Sequence, residues 1–366
     1  MNYIISSFLA SLVATLIIMR SSMRHAHLSA DHDLSGPQKF HGRPVPRVGG
    51  LGVMAGVLAG LGISLLTGSP AGPALWLLIA CALPAFVTGI AEDLTKNVSP
   101  RRRLVATAIS AALAIWLLGA VISRTDIPGV DPLIAWFPAA VLLTLFVVAG
   151  VANAVNIIDG FNGLASMCVL MMVLAIGYVA FQVQDTFIFT AALITAGAVL
   201  GFFVWNFPAG LIFLGDGGAY LLGFLLAELS ILLVHRNPGV SPIFALLLCA
   251  YPIFETIFTM YRRKVVRGVA TAAPDGIHLH TLIHRRLIRW TLADNRERRR
   301  LTRRNSMTSP YLWMLCLSSV VPSLLWWNNT TVLSCFLLLF VVTYVWLYAR
   351  IVRFKTPRWL IFRRHR

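Results

Sequence analysis

The stretch IAWFPAAVLLTLFVVAGV, residues 134–151, followed by ANAVNIIDGFNGL, residues 152–164, decides the fold. The first part carries no charge and is long enough to cross a hydrocarbon core of roughly 30 Å as an α-helix. The second turns polar without turning basic: Asn153, Asn156, Asp159 and Asn162 recur at steps of three, with Gly160 and Gly163 ending the run. Each such step drifts by about 60° on a helix, so the four side chains cover one side of it. A span that ends in a stripe of amides and a carboxylate delivers chemistry to the membrane edge. Amides can read a uracil edge or a sugar amide through paired donor and acceptor. Asp159 can ligate a metal.

Outward from this stretch, the same criterion yields about eleven spans, near 3–19, 48–66, 74–91, 104–122, 134–151, 163–182, 186–204, 212–234, 240–259, 310–327 and 331–349. The splits at 182–186 and 328–331 rest on the polar turns Gln182 to Asp185 and Asn328 to Thr330. Composition agrees. Hydrophobic residues make up 58% and charged residues 12%, where a soluble chain carries about a quarter charged. Cys81, Cys168, Cys249, Cys316 and Cys335 sit inside apolar runs without metal-type spacing and read as small buried hydrophobes. Met1 to Met19 lacks a basic leader and a small-residue cleavage site, so it reads as a first span. The expected fold is an all-α integral membrane protein with no soluble domain. One transmembrane domain covers 1–366, with a basic loop at about 261–309. The stretch from Arg285 to Arg304 is expected to contain an interfacial amphipathic helix.

The net charge of +17 is excluded from the spans. It therefore meets anionic lipid headgroups and anionic substrates, and no nucleic acid is expected as a partner. With the N-terminus outside, the inner loops are 20–47, 92–103, 152–162, 205–211, 260–309 and the tail from Arg350. Of 31 Lys and Arg, only Arg124 and Arg236 lie elsewhere. Positive charge marks the inner side, which gives an N-out, C-in topology.

The chemically capable residues gather in those same inner loops. Lys39, His41 and Arg47 lie in the first, and Glu92, Asp93, Lys96 and Arg101 to Arg103 in the second. Adjacent carboxylates such as Glu92-Asp93 either mark the end of a helix or act as a base or cation ligand. Mg²⁺ takes oxygen ligands and recruits substrate phosphates to complete its shell. Asp216, within Gly215-Asp216-Gly217-Gly218, stands either as a helix N-cap or as a metal ligand beside a phosphate. His278, His280 and His284 suit contact with a diphosphate, or else a zinc site.

Five motifs in order resemble the polyprenyl-phosphate N-acetylhexosamine-1-phosphate transferases, the WecA- and MraY-like enzymes of glycosyltransferase family 4. They are Lys39-Phe40-His41 with Pro46 to Gly50, Glu92-Asp93-Leu94 with Ser99-Pro100-Arg101, Asn153 to Leu164, Phe213 to Gly218, and Pro274-Asp275 with His278-Leu279-His280. The resemblance runs through about residues 31–285. It implies a bacterial inner-membrane enzyme with a cytoplasmic Mg²⁺ site, Mn²⁺ being the substitute ion. Such an enzyme transfers a sugar-1-phosphate, expected to be that of an N-acetylated amino sugar, from a UDP-sugar to undecaprenyl phosphate. The products are undecaprenyl-diphosphate-sugar and UMP, initiating O-antigen, capsule or related glycan synthesis. A homodimer is compatible with it.

On matching positions, Asp216 resembles the metal ligand, with Asp159 beside it. Glu92 and Asp93 resemble the acidic pair near the lipid phosphate, and His278 and His280 the diphosphate-proximal histidines. Lys39, His41, Arg47, Arg101, Asn153, Asn156 and Asn162 are expected to bind substrate. Many relatives have Asp-Asp at 92–93, Asp at 162 and a second consecutive His at 281, where this chain has Glu92-Asp93, Asn162 and Thr281. The incomplete His cluster points away from the muramoyl-pentapeptide branch. Two mechanisms fit: direct attack by the lipid phosphate, or an aspartyl-phosphate intermediate.

Two other classes compete. A polytopic secondary transporter would place its ionisable residues near the midplane, where only Glu228 and Glu255 stand. An intramembrane aspartyl protease would want Gly at 213, where Phe stands.

Overall fold

The computed structural model describes residues 2–22, 45–266, 268, 277–288 and 297–353. Lys39, His41 and Asp275 lie outside the described residues.

The helices begin with α1 (Asn2–Ser22), α2 (Gly49–Leu66), α3 (Gly72–Thr95) and α4 (Pro100–Leu118). A short α5 (Asp131–Ile134) leads into α6 (Phe137–Ile158), α7 (Leu164–Gln182), α8 (Thr186–Asn206) and α9 (Gly215–Arg236). Then follow α10 (Pro242–Leu248), α11 (Ala250–Tyr261), the short α12 (Leu279–Arg286), α13 (Glu297–Leu325) and α14 (Thr330–Val352). Among the described residues, nine helices are long and apolar enough to cross a membrane, or ten if the bent pair α10–α11 is counted as one span. The expected span at 104–122 is α4. It is helical in the expected place but opens on Arg101, Arg102 and Arg103, which lowers its apolar character.

The 69° bend between α10 and α11 has a local cause. Pro252 sits in the first turn of α11 and offers no N–H to the carbonyl of Leu248, so the helical ladder breaks there. The basic stretch before the next span also differs from expectation. From Glu297 onward it is no separate surface helix but the first turns of α13, which runs on to Leu325. Its earlier part, 289–296, lies outside the described residues.

At the centre stands α9, buried at every position from Gly215 to Val234. Apart from Asp216, Glu228 and Ser230, its buried residues are apolar or glycine on every face, as expected of a helix surrounded by protein. Between membrane helices, association depends on close packing and hydrogen bonds because lipid tails are as apolar as leucine. Small residues supply that closeness. A Cβ on Gly223 would stand 2.5 Å from the Cα of Ala152, so α6 and α9 touch at backbone level. The first helix is pinned by polar contacts: Ser11 Oγ donates to the Ala198 carbonyl at 2.7 Å, and Trp205 Nε1 to that of Leu12 at 3.0 Å.

Candidate active site

The site is assembled by backbone before any side chain acts. The carbonyl of Pro46 accepts from the N–H of Phe213 at 2.9 Å, and the N–H groups of Gly49 and Gly50 donate to Phe213 and Leu214 at 3.0 and 2.9 Å. The segment before α2 is thus stitched to the segment before α9. Gly215 has φ +75° with the Arg47 carbonyl pressed against it, a conformation and a space that only glycine suits. This stitching places Arg47 beside Asp216.

Asp216 opens α9, and no side chain from the preceding residues caps that helix. The cap comes from α3. Asp93 accepts from the N–H of Asp216 at 2.8 Å and from that of Gly217 at 2.9 Å, one bond to each oxygen. A carboxylate here satisfies two orphan donors and meets the positive end of the helix.

The side chain of Asp216 is left to face the site. Its Oδ1 accepts from Asn156 Nδ2 at 3.0 Å and from Arg47 Nη2 at 3.5 Å, and its Oδ2 pairs with Arg103. The Arg103 guanidinium also lies 5.8 Å from the ring centre of Tyr220, whose hydroxyl donates to Asn153 Oδ1 at 3.3 Å. The polar stripe on α6 therefore faces the first turns of α9, as its spacing predicts.

Asp159 ends α6. Burial pushes its carboxyl up to about 8, with Arg47 and the Gly215 N–H pulling downward and the charge of Asp93 pushing up. A carboxylate whose charge burial disfavours in this way suits a divalent cation. Among the described residues no three His, Cys, Asp or Glu side chains form a ready-made cage. The donor set fits the Mg²⁺ habit of one or two carboxylates completed by substrate phosphates.

His278 and His280 stack with ring centres 4.9 Å apart and 9° between planes. A Cβ on Gly160 would lie 3.4 Å from His280 Nε2, so that nitrogen faces the residue after Asp159. His284 is separate. It contacts Thr308 Oγ1 through Nδ1 at 3.1 Å, and burial, helped by Arg304 and Arg285, pulls its pKa down to about 4. At neutral pH it is an uncharged brace between α12 and α13. The three histidines do not form the metal cluster that the zinc alternative requires.

Other expected site residues stand apart from this cluster. Arg101 is exposed on the first turn of α4. Glu92 turns away from Asp93, and its Oε2 accepts from the N–H of Val98 at 2.7 Å. Asn162 is committed to scaffold. Its N–H donates to Asn305 Oδ1 at 2.8 Å, its Nδ2 to Ser306 Oγ at 3.0 Å, and its carbonyl accepts from Ser309 Oγ at 2.6 Å. Sequence reasoning missed Tyr220, and it named Arg103 within a run of three arginines and Glu255 as a midplane acid without assigning either to the site. Successive residues on a helix point about 100° apart, so only one of three consecutive arginines can face inward, and the run itself does not say which.

Comparison with known proteins agrees with this geometry. The family model described as glycosyl transferase family 4 matches residues 75–234, which hold Asp93, Arg103, Asn156, Asp159 and Asp216. The chain is 28% identical over 278 residues to the probable undecaprenyl-phosphate N-acetylglucosaminyl 1-phosphate transferase of Bacillus subtilis (strain 168), covering 76% of each chain. It is 30% identical over 295 residues to the decaprenyl-phosphate N-acetylglucosaminephosphotransferase of Mycobacterium leprae, covering 68% of this chain and 70% of that one. A shorter match of 93 residues, 44% identical, is to the phospho-N-acetylmuramoyl-pentapeptide-transferase of Streptococcus thermophilus (strain CNRZ 1066), over 25% of this chain and 27% of that one. On motifs, geometry and these matches together, the chain belongs to glycosyl transferase family 4, as a multi-pass membrane member of the polyprenyl-phosphate N-acetylhexosamine-1-phosphate transferases.

Proposed function

We propose that this protein transfers an N-acetylated amino sugar-1-phosphate from a UDP-sugar to undecaprenyl phosphate at the cytoplasmic face of a bacterial inner membrane, releasing UMP and initiating a surface glycan. The observation that carries this is the knot around Asp216. Two guanidiniums, an amide and a helix N-terminus meet beside Asp159 and His280 at one end of the bundle. Two phosphate-bearing reactants need such a place, because their mutual repulsion is the main obstacle. The cytoplasmic side follows from charge, since of 31 Lys and Arg only Arg124 and Arg236 fall in the opposite loops.

In the reaction an oxygen of the lipid phosphate attacks the sugar-bearing phosphorus of the donor. One phosphoanhydride forms as another breaks, and UMP leaves with the bonding pair. Asp216 and Asp159 would hold Mg²⁺, or Mn²⁺ in its place, which supplies charge neutralisation to the donor diphosphate. The arginines now engaged with Asp216 have the fork geometry that phosphate oxygens fit. Asn153 and Asn156 offer amides for the nucleotide or sugar. Asp93 keeps α9, and hence Asp216, in position.

Arg103→Ala is expected to lower kcat/KM for the donor by about 100-fold, the order seen when one preorganised charge donor is lost. Arg101→Ala is expected to stay within about twofold, as for exposed charges. Steady-state UMP release with both variants checks this contrast.

Mass spectrometry of the lipid product, after purified protein meets undecaprenyl phosphate, Mg²⁺ and a panel of UDP-sugars, tests the proposal. A mass gain of one hexosamine phosphate supports it. No lipid product with any donor, from protein that is monodisperse in detergent, would overturn it.

A further inference from the structure

Glu255 has no exposed surface and lies on α11, just past the bend. Nothing in its apolar surroundings in sequence marks it as part of the site. A carboxylate so buried must be fully satisfied to persist, and its partners are specific. Its Oε1 accepts from the N–H of Leu279 at 2.9 Å, which caps the start of α12. The same oxygen lies 3.3 Å from His278 Nδ1 and 3.9 Å from His280 Nδ1. Its Oε2 accepts from the Tyr344 hydroxyl on α14 at 2.7 Å. Thr259, one turn further along α11, contacts His278 Nδ1 through Oγ1 at 3.2 Å.

The two edges of the His280 ring therefore face different worlds. Nδ1 lies 3.9 Å from Glu255, beyond direct hydrogen-bond distance, while the stacked His278 makes the closer contact, and Nε2 looks toward Gly160 beside Asp159. A carboxylate behind one ring nitrogen sets the tautomer and the orientation of the other. We infer that Glu255 is a positioning residue of the reaction: with Tyr344 behind it, it bonds His278 Nδ1 and, through the His278–His280 stack, holds the second ring so that His280 Nε2 is presented to phosphate oxygen at the Asp159 edge. The inference rests on the transferase reading, with Glu255 acting through the imidazoles and touching no substrate.

The test uses the full-length enzyme in detergent, with Glu255→Gln, Glu255→Asp, His280→Ala and the Glu255→Gln/His280→Ala double variant. Removing a carboxylate that orients an imidazole from behind is expected to cost about 10- to 100-fold in rate. Glu255→Gln should lose that much in kcat while the donor KM changes by less than about threefold, since the imidazole is misaimed and the nucleotide amides are untouched. Glu255→Asp should recover a substantial part of the loss. In the His280→Ala background, Glu255→Gln should add less than about twofold. Nitrogen-15 spectra of histidine-labelled protein without substrate, assigned through His278→Asn and His280→Asn, should show His278 protonated at Nδ1 in the wild type and loss of that signature in Glu255→Gln.

Additive losses in the double variant, or unchanged spectra in Glu255→Gln, would overturn the inference. Failure of the transferase reading is distinguishable. The wild type would then turn over no donor, while the Glu255-dependent signature would remain.

Discussion

Asp216→Asn is expected to lower UMP release by about 10³-fold, roughly 4 kcal/mol of barrier, while the protein stays folded in the membrane. The expectation follows from a division of labour within one residue. The backbone N–H of Asp216 is held by Asp93, which supports the fold, and its carboxylate is held by Arg47, Arg103 and Asn156, which belong to the site. Asparagine keeps the first and loses the charge of the second. Two guanidiniums then face each other without their shared anion, and the carboxylate proposed to hold a divalent cation is gone. Parallel measurement of UMP release and of thermal unfolding in detergent separates these effects. Wild-type activity in Asp216→Asn would remove this residue from the mechanism.

Asp93→Ala is expected to damage stability and activity together. Two charge-assisted hydrogen bonds at the start of α9 would be lost, each worth about 1.5–3 kcal/mol. The first turn of the central helix would fray, carrying Asp216 with it, so activity should fall by at least about 100-fold. Glu92→Gln is the control, because its carboxylate accepts from the loop N–H of Val98 and does not cap α9. A loss below about tenfold is expected there, on the scale of one backbone hydrogen bond. Unfolding temperature and turnover measured on the same two preparations check the pair. Asp93→Ala as stable as the wild type would refute the cap.

These two cases show what sequence carries and what it leaves out. Spans are legible because a bilayer demands about twenty apolar residues and imposes a charge asymmetry on what joins them. The stripe of Asn153, Asn156 and Asp159 is legible because helical period converts spacing into direction, and it does face α9. Partnership across the chain is not legible. Glu92 and Asp93 are neighbours in sequence, yet one serves a loop and the other caps a helix more than a hundred residues away. Asn162 continues the stripe by spacing, but it lies beyond the end of α6, where the helical period no longer applies, and its groups brace α13 instead.

Glu255 illustrates the opposite case. An acid in an apolar run has the look of a transporter's midplane residue, and only the fold brings His278 and Tyr344 to it. The bend before it is carried by Pro252, but an apolar run containing proline gives length without angle.

The account stands on distant loops meeting at one cytoplasmic pocket, and sided cysteine labelling tests that most directly. In a Cys335→Ser background, Arg101→Cys in the second inner loop and Ala209→Cys between α8 and α9 are both exposed at the site end, and Gln184→Cys is exposed in the turn at the other end. A membrane-impermeant maleimide is expected to label positions 101 and 209 only in inside-out vesicles, and position 184 only in right-side-out ones. Labelling of 101 and 209 from opposite sides, or of both from the periplasmic side, would contradict the account.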